Sequence, residues 1–270
     1  MAYGRAFLAV AAFAAGAPQA QLPPAPEGAS GWTDKRPVAA RRFLAATANP
    51  HATDAAYAIL VRGGSAVDAA VAAQLVLGLT EPQSSGLGGG AFVLVHSART
   101  HKLHAYDGRE TAPAAAKPDR FLDASGAPRA FRDVVATGPA VGVPGTLRVL
   151  ELAHAKHGKL PWSVLFGPAI ALAEGGFDVS PRLAGAIAGD ASLAKDPRAS
   201  KYFFGSDGKP LAAGTVLRNP AYAATLRTIQ REGAGALYRG AIADDIVATV
   251  AANATRPGDM TLADLASYRA

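Results

Sequence analysis

The sequence predicts an α+β fold, with helices packed around an antiparallel pair of strands, and three observations predict it. An asparagine or serine stands directly before proline at Asn49-Pro50, Ser180-Pro181 and Asn219-Pro220, the cap-plus-proline signature of a helix start. Two β-rich runs, Ala91 to Val95 and Leu103 to Tyr106, are separated by the polar stretch Ser97 to Lys102. Half of the 270 residues are apolar, enough to bury a sizeable core in one large domain or two small ones.

The chain opens with Met1-Ala2-Tyr3-Gly4-Arg5 and continues through Ala6 to Ala17 without a charge, the pattern of a secretory signal peptide. That stretch is shorter than the roughly 20 apolar residues a membrane-spanning helix needs. Residues 1–20 are read as the signal, with cleavage after Gly16 or Ala20, which implies a periplasmic or secreted protein. Residues 21–47 form a Pro-rich linker, and residues 48–270 the folded part.

Pro50 starts a short amphipathic helix with Ala52, Ala56, Ile59 and Leu60 in one stripe, ended by Gly63-Gly64. Ser65 and Asp68 make a capping-box pattern, and the helix they open, Ala66 to Leu77, is apolar on nearly every face apart from Asp68 and Gln74, so it belongs inside. The two β-rich runs are expected to be an antiparallel pair of buried strands. Helices then run from about Gly145 to His157, from Pro161 to Ala173, from Ser180 to about Ala194, from Asn219 to about Arg231 and from Ile242 to Ala251. Thr261 with Asp264 caps one more, with little length for stable packing before Ala270.

Several chemistries are excluded. The net charge of +6 is scattered, apart from a modest basic run at Lys35 to Arg42, and no basic helix face or aromatic platform suggests nucleic acid. The absence of cysteine rules out disulfides and thiolate chemistry in this segment. The loop Ser84-Ser85-Gly86-Leu87-Gly88-Gly89-Gly90 lacks a Walker lysine and leads into a strand, not a helix, so it is read as structural and not as a phosphate cradle. Ser84 and Ser85 lie in no nucleophile elbow, and His96, His101 and His104 lack the carboxylates and helical spacing of a metal site. No cofactor or metal is indicated.

Arg109 is the leading candidate for binding. It follows a strand and precedes a proline turn, where its planar fork of donors can point into a cleft and hold a carboxylate in two hydrogen bonds. Asp107 and Glu110 flank it and are placed to orient the guanidinium. From the residues alone, an arginine in that company more often serves an ion-pair network.

The segments Gly63 to Ala73, Thr80-Glu81-Pro82-Gln83-Ser84-Ser85-Gly86-Leu87-Gly88-Gly89-Gly90, Asp107-Gly108-Arg109-Glu110-Thr111-Ala112-Pro113, Val141 to Thr146 and Pro257 to Asp264 together resemble the large-subunit portion of the γ-glutamyltranspeptidases, or glutathione hydrolases. The resemblance runs from about Ala48 to Ala270. It implies the four-layered αββα sandwich of the N-terminal nucleophile hydrolases, here without its second subunit. It also implies cleavage of γ-glutamyl amides such as glutathione, with transfer of the γ-glutamyl group to water, amino acids or peptides. In that family the nucleophilic threonine opens a small subunit released from the same precursor by self-cleavage, so no threonine here, Thr111 and Thr146 included, is given that role. Arg109 corresponds to the arginine that binds the substrate's α-carboxylate. A β-lactam or glutaryl acylase shares the architecture, and a non-catalytic carboxylate-binding module would use the same arginine; both stay open. The chain made alone is expected to be inactive and prone to aggregate, because a sheet face without its neighbours exposes apolar surface.

Overall fold

The computed structural model describes residues 37–270. The signal-peptide reading and most of the linker lie outside the described residues. Every element below lies within Ala39–Ala270.

Helix α1 (Pro50–Val61) begins where Asn49 Oδ1 accepts the His51 N–H at 3.0 Å, and it buries Ala52, Ala55, Ala56 and Ile59. Helix α2 (Ala66–Thr80) opens on the expected capping box and runs three residues further than its sequence suggests, packed along α1. Its one acidic residue is a hub. Asp68 is fully buried, and its Oδ2 accepts not only the Ser65 N–H (2.7 Å) but also those of Lys159 (2.9 Å) and Leu160 (3.1 Å). Its other oxygen lies 3.4 Å from His154 Nε2. A carboxylate meant only to cap a helix would face water; this one ties two distant segments together.

Strands β1 (Ala91–Ser97) and β2 (Lys102–Gly108) pair antiparallel, from Ala91 opposite Gly108 to Ser97 opposite Lys102. Full burial of the pair is corrected: only one face is covered. Val93, Val95, Tyr106 and Gly108 turn toward the core, while Phe92 and Leu94 are each 68% exposed and Leu103 is 64% exposed. The covering element is α4 (Thr146–His157), which follows α3 (Phe131–Val134). Since side chains alternate between faces, a helix on one side leaves the other side bare. Gly108 is where helix and strand come closest: a β-carbon there would collide with Val149.

The helix expected over Pro161 to Ala173 is two pieces, a 3₁₀ stretch Trp162–Phe166 and α5 (Gly167–Gly175). Pro168 has no N–H to donate back into the preceding turn, so the helix restarts on it. After β3 (Phe177–Asp178), helix α6 (Pro181–Gly189) stops five residues early, because Asp190 Oδ1 takes the Ser192 N–H (2.9 Å) and hydroxyl (2.6 Å) and turns the chain. An unforeseen helix, α7 (Pro197–Phe203), starts on Asp196-Pro197, the same cap-plus-proline device. Strand β4 (Val216–Leu217) pairs with β3. The remaining helices are α8 (Pro220–Glu232), α9 (Gly235–Tyr238), α10 (Ala241–Ala251) and α11 (Leu262–Ser267).

The core lies among α2, α4, α5 and α8, around Leu75, Leu147, Phe166, Leu226 and Ile229. The shortness of α11 does not leave it loose: Leu265 is fully buried and Tyr268 is 4% exposed. This is a mixed α/β fold, a sheet with helical layers on one of its faces. Among the described residues no helix is long and apolar enough to cross a membrane.

Candidate functional site

The glycine loop and the end of β2 meet at the N-terminus of α4. Helix α4 leaves its first N–H groups without partners inside the helix, and the Gly89 carbonyl accepts two N–H bonds there, from Gly145 (2.9 Å) and Thr146 (3.0 Å). This fixes the loop to the helix that supports the sheet, in keeping with a structural role.

Arg109 is the first residue beyond β2. Its N–H donates to Asp107 Oδ1 at 2.8 Å and its carbonyl accepts the Tyr268 hydroxyl at 2.8 Å. The side chain is 69% exposed, and its Nη1 lies 3.0 Å from Glu110 Oε2. That contact is an ion pair without the directionality of a hydrogen bond, so Glu110 Oε2, though buried, has no hydrogen-bond partner. Exposure keeps the pair's stabilising effect small. The structure therefore separates the two flanking acids: Glu110 faces the guanidinium, whereas Asp107, expected to do the same, holds the main chain instead. Its side chain is too short to turn forward once it has capped the N–H two residues on.

Arg109 lines a cleft of about 280 Å³ whose walls come from Thr111 to Pro113, from Arg120 and Phe121, and from Pro139 to Gly142. A second cation there was missed in the sequence. Arg120, with a side chain only 10% exposed, gives Nη2 to both oxygens of Asp259 (2.9 and 2.6 Å) and Nη1 to the Pro139 carbonyl (3.0 Å). Its partners are in the protein, while among the described residues the guanidinium of Arg109 meets only the Glu110 carboxylate. Thr111 belongs to the wall through its backbone, its carbonyl accepting the Val143 N–H at 2.8 Å.

A second unforeseen group anchors the other end of the glycine loop. Glu81 is buried, accepting Asn49 Nδ2 (2.9 Å) and Gln83 Nε2 (2.7 Å), with Arg182 Nη1 at 3.6 Å. Ser84 receives Arg182 Nη2 at 3.1 Å, a donor and not a base that could activate it. The histidines disperse: His96 is on the open sheet face, His101 is in the hairpin turn at φ 53°, and His104 faces His157 with ring centres 5.0 Å apart. Partial burial, with the nearby His104 and Lys156, pushes the His157 imidazole below its usual range, and its Nε2 lies 2.6 Å from the Tyr106 hydroxyl. Among the described residues no three His, Asp or Glu side chains gather closely enough to hold a metal ion.

Known proteins resemble this chain in sequence and in fold. The family model for gamma-glutamyltranspeptidase matches residues 52–270. The glutathione hydrolase proenzyme of Bacillus subtilis is 41% identical over 225 residues, which are 83% of this chain and 38% of that protein. The chain thus spans well under half the length of that relative. Among solved structures, the γ-glutamyltranspeptidase of Helicobacter pylori superposes with a TM-score of 0.80 at 33% identity, covering 87% of this chain and 66% of that one. A cephalosporin acylase from Bacillus halodurans superposes with a TM-score of 0.68 at 30% identity, covering 88% of this chain and 45% of the other. A family match over most of the chain, together with a 41% identical relative, places this chain in the γ-glutamyltranspeptidase family, within the N-terminal nucleophile hydrolase fold.

Proposed function

We propose that this chain is the large-subunit portion of an exported γ-glutamyltransferase, or glutathione hydrolase, and that Arg109 binds the α-carboxylate of the γ-glutamyl donor. The observation that carries the reading is the exposed guanidinium at the cleft, held in place through its backbone and paired on one side only with Glu110. In this reading the nucleophile is a threonine of a small subunit made from the same precursor. Its hydroxyl attacks the γ-carbonyl and its own α-amine accepts the hydroxyl proton; the donor's amine leaves, and the acyl group passes to water or to the amine of an amino acid or peptide. The uncovered apolar side chains of Phe92, Leu94 and Leu103 supply a surface for that partner. The positive start and uncharged Ala6 to Ala17 support export to the periplasm or outside.

The test is Arg109→Ala and Arg109→Lys in the protein made from its complete reading frame. Losing a desolvated partner of a ligand carboxylate costs about 2–5 kcal/mol, so KM for a γ-glutamyl anilide should rise at least about thirtyfold in the alanine variant. Lysine, a point charge in place of a fork, should recover part of the loss. An unchanged KM in both would refute the assignment.

The likeness to a cephalosporin acylase favours one second reading, hydrolysis of a glutaryl or β-lactam amide by the same architecture. Glutaryl donors keep the carboxylate that matches the γ-glutamyl α-carboxylate and lack only the α-amine, so a preference for them over γ-glutamyl donors would select it while leaving the carboxylate-binding role of Arg109 in place.

A further inference from the structure

We infer that Tyr268, together with Asp264, is a positioning residue for Arg109: the short C-terminal helix α11 fixes the backbone from which the substrate-binding guanidinium extends. The inference rests on the reading of Arg109 above and adds to it the device that holds the arginine in place.

Four contacts hold the segment 109–114. The Tyr268 hydroxyl donates to the Arg109 carbonyl at 2.8 Å across 159 positions of sequence. Asp264 uses its two oxygens separately, Oδ2 closing the cap of α11 on the Thr261 N–H (2.8 Å) and hydroxyl (2.7 Å), and Oδ1 reaching out to the Ala114 N–H (2.8 Å). Helix α11 and Tyr268, the residue that follows it, therefore grip both ends of the segment. Asp107 holds the Arg109 N–H, and Val143 holds the Thr111 carbonyl between the two grips.

The phenol is itself fixed. Its ring stacks on Tyr238 with centres 6.0 Å apart and planes within 10°. Tyr238 in turn donates to the Pro144 carbonyl at 3.0 Å and lies under the Arg148 guanidinium at 4.4 Å. Gly145 leaves the room this needs, since a β-carbon there would collide with both the Tyr268 hydroxyl and the Gly108 carbonyl. Burial, with the nearby Asp107 and Glu110 carboxylates, pushes the Tyr268 phenol above its usual range and keeps it a donor.

The result is an arginine whose N–H and carbonyl are both bound while its side chain is 69% exposed. A carboxylate docking there has little backbone freedom to freeze, which preserves affinity.

The experiment uses the protein from its complete reading frame and two donors, a γ-glutamyl anilide and the same compound with its α-carboxylate converted to an amide. Tyr268→Phe keeps the stacked ring and removes only the donor. It should raise KM for the carboxylate donor about three- to tenfold, the usual consequence of one lost hydrogen bond, with kcat within about twofold. The amidated donor should be unaffected, so discrimination between the two shrinks. Hydrogen exchange should speed up at residues 109–114 alone, a readout independent of turnover, and Asp264→Asn should speed it at Ala114. If Arg109→Ala raises KM but Tyr268→Phe changes neither KM nor exchange, positioning is overturned and the arginine's role stands. If Arg109→Ala also leaves KM unchanged, the reading of Arg109 fails. Faster exchange throughout the chain, or equal losses with both donors, would make Tyr268 a general stability residue and overturn the inference.

Discussion

Gly90 and Glu110 pack so closely that the glycine has no room for a side chain: a β-carbon on Gly90 would collide with the Glu110 carboxylate and lie 2.8 Å from the Glu110 backbone nitrogen. The last glycine of the loop is there because the carboxylate that faces Arg109 occupies the space a side chain would need. Gly90→Ala should therefore destabilise the protein by about 1–3 kcal/mol, the usual effect of overpacking. It should also displace Glu110 and raise KM for the γ-glutamyl donor. Urea denaturation and steady-state kinetics check the two effects, and a stable variant with normal KM would show that the loop relaxes without moving Glu110.

Asp68 carries a larger share of the fold than its place in a capping box suggests. Its fully buried carboxylate accepts N–H groups from Ser65, Lys159 and Leu160, residues that are themselves only partly covered or exposed. Asp68→Ala removes the shared acceptor of three N–H groups, at about 1–3 kcal/mol for each that water does not reach, so a loss of at least about 2 kcal/mol is expected. Denaturation midpoints of Asp68→Ala and Ser65→Ala separate the roles: the serine change removes only a cap and should cost about 1 kcal/mol.

These two residues mark what a sequence can and cannot disclose. The caps at Asn49, Ser65, Ser180, Asn219 and Thr261 are local, each side chain bonding an N–H two or three residues ahead, so spacing alone reveals them. The contacts that shape the site are distant. Tyr268 meets Arg109 across 159 positions and Asp68 meets Leu160 across 92, and neither leaves a period in the sequence. The one-sided burial of β1 was hidden for another reason: Phe92 and Leu94 are as apolar as Val93 and Val95, so alternation cannot say which face is covered. Arg109 stood out through its family motif, since its chemistry alone fits an ion-pair network equally well, and the pair with Glu110 does exist.

His157 makes the fold sensitive to acid. Its imidazole titrates below the usual 6.5 in the folded chain, first because it is partly desolvated and then because His104 and Lys156 oppose another positive charge. As pH falls, the unfolded chain takes up this proton first, so stability is complete above pH 6.5 and is lost as pH falls through the depressed folded value. Replacing His157 with Gln should flatten the slope of urea midpoint against pH below 6.5. An identical slope in the variant would assign the acid sensitivity to other groups.

The open face of the β1–β2 pair governs how the chain behaves alone. Phe92, Leu94 and Leu103 form an apolar band in which His96 and Asp107 are the polar cross-strand neighbours, and both outer edges of this two-stranded sheet lack partners among the described residues. Covering such side chains stabilises by about 1.5–3 kcal/mol each, which favours either a partner layer or self-association. Leu94→Lys should therefore raise the soluble fraction of the 270-residue chain produced alone, because a charge on the band opposes stacking of two copies. In the protein from the complete reading frame the same lysine would be buried without a counter-charge, so melting temperature and assembly should both fall. Sedimentation of the chain alone and thermal melting of the whole protein give the two readouts. Greater solubility without any loss in the whole protein would mean that this face stays open to solvent and that the partner layer binds elsewhere.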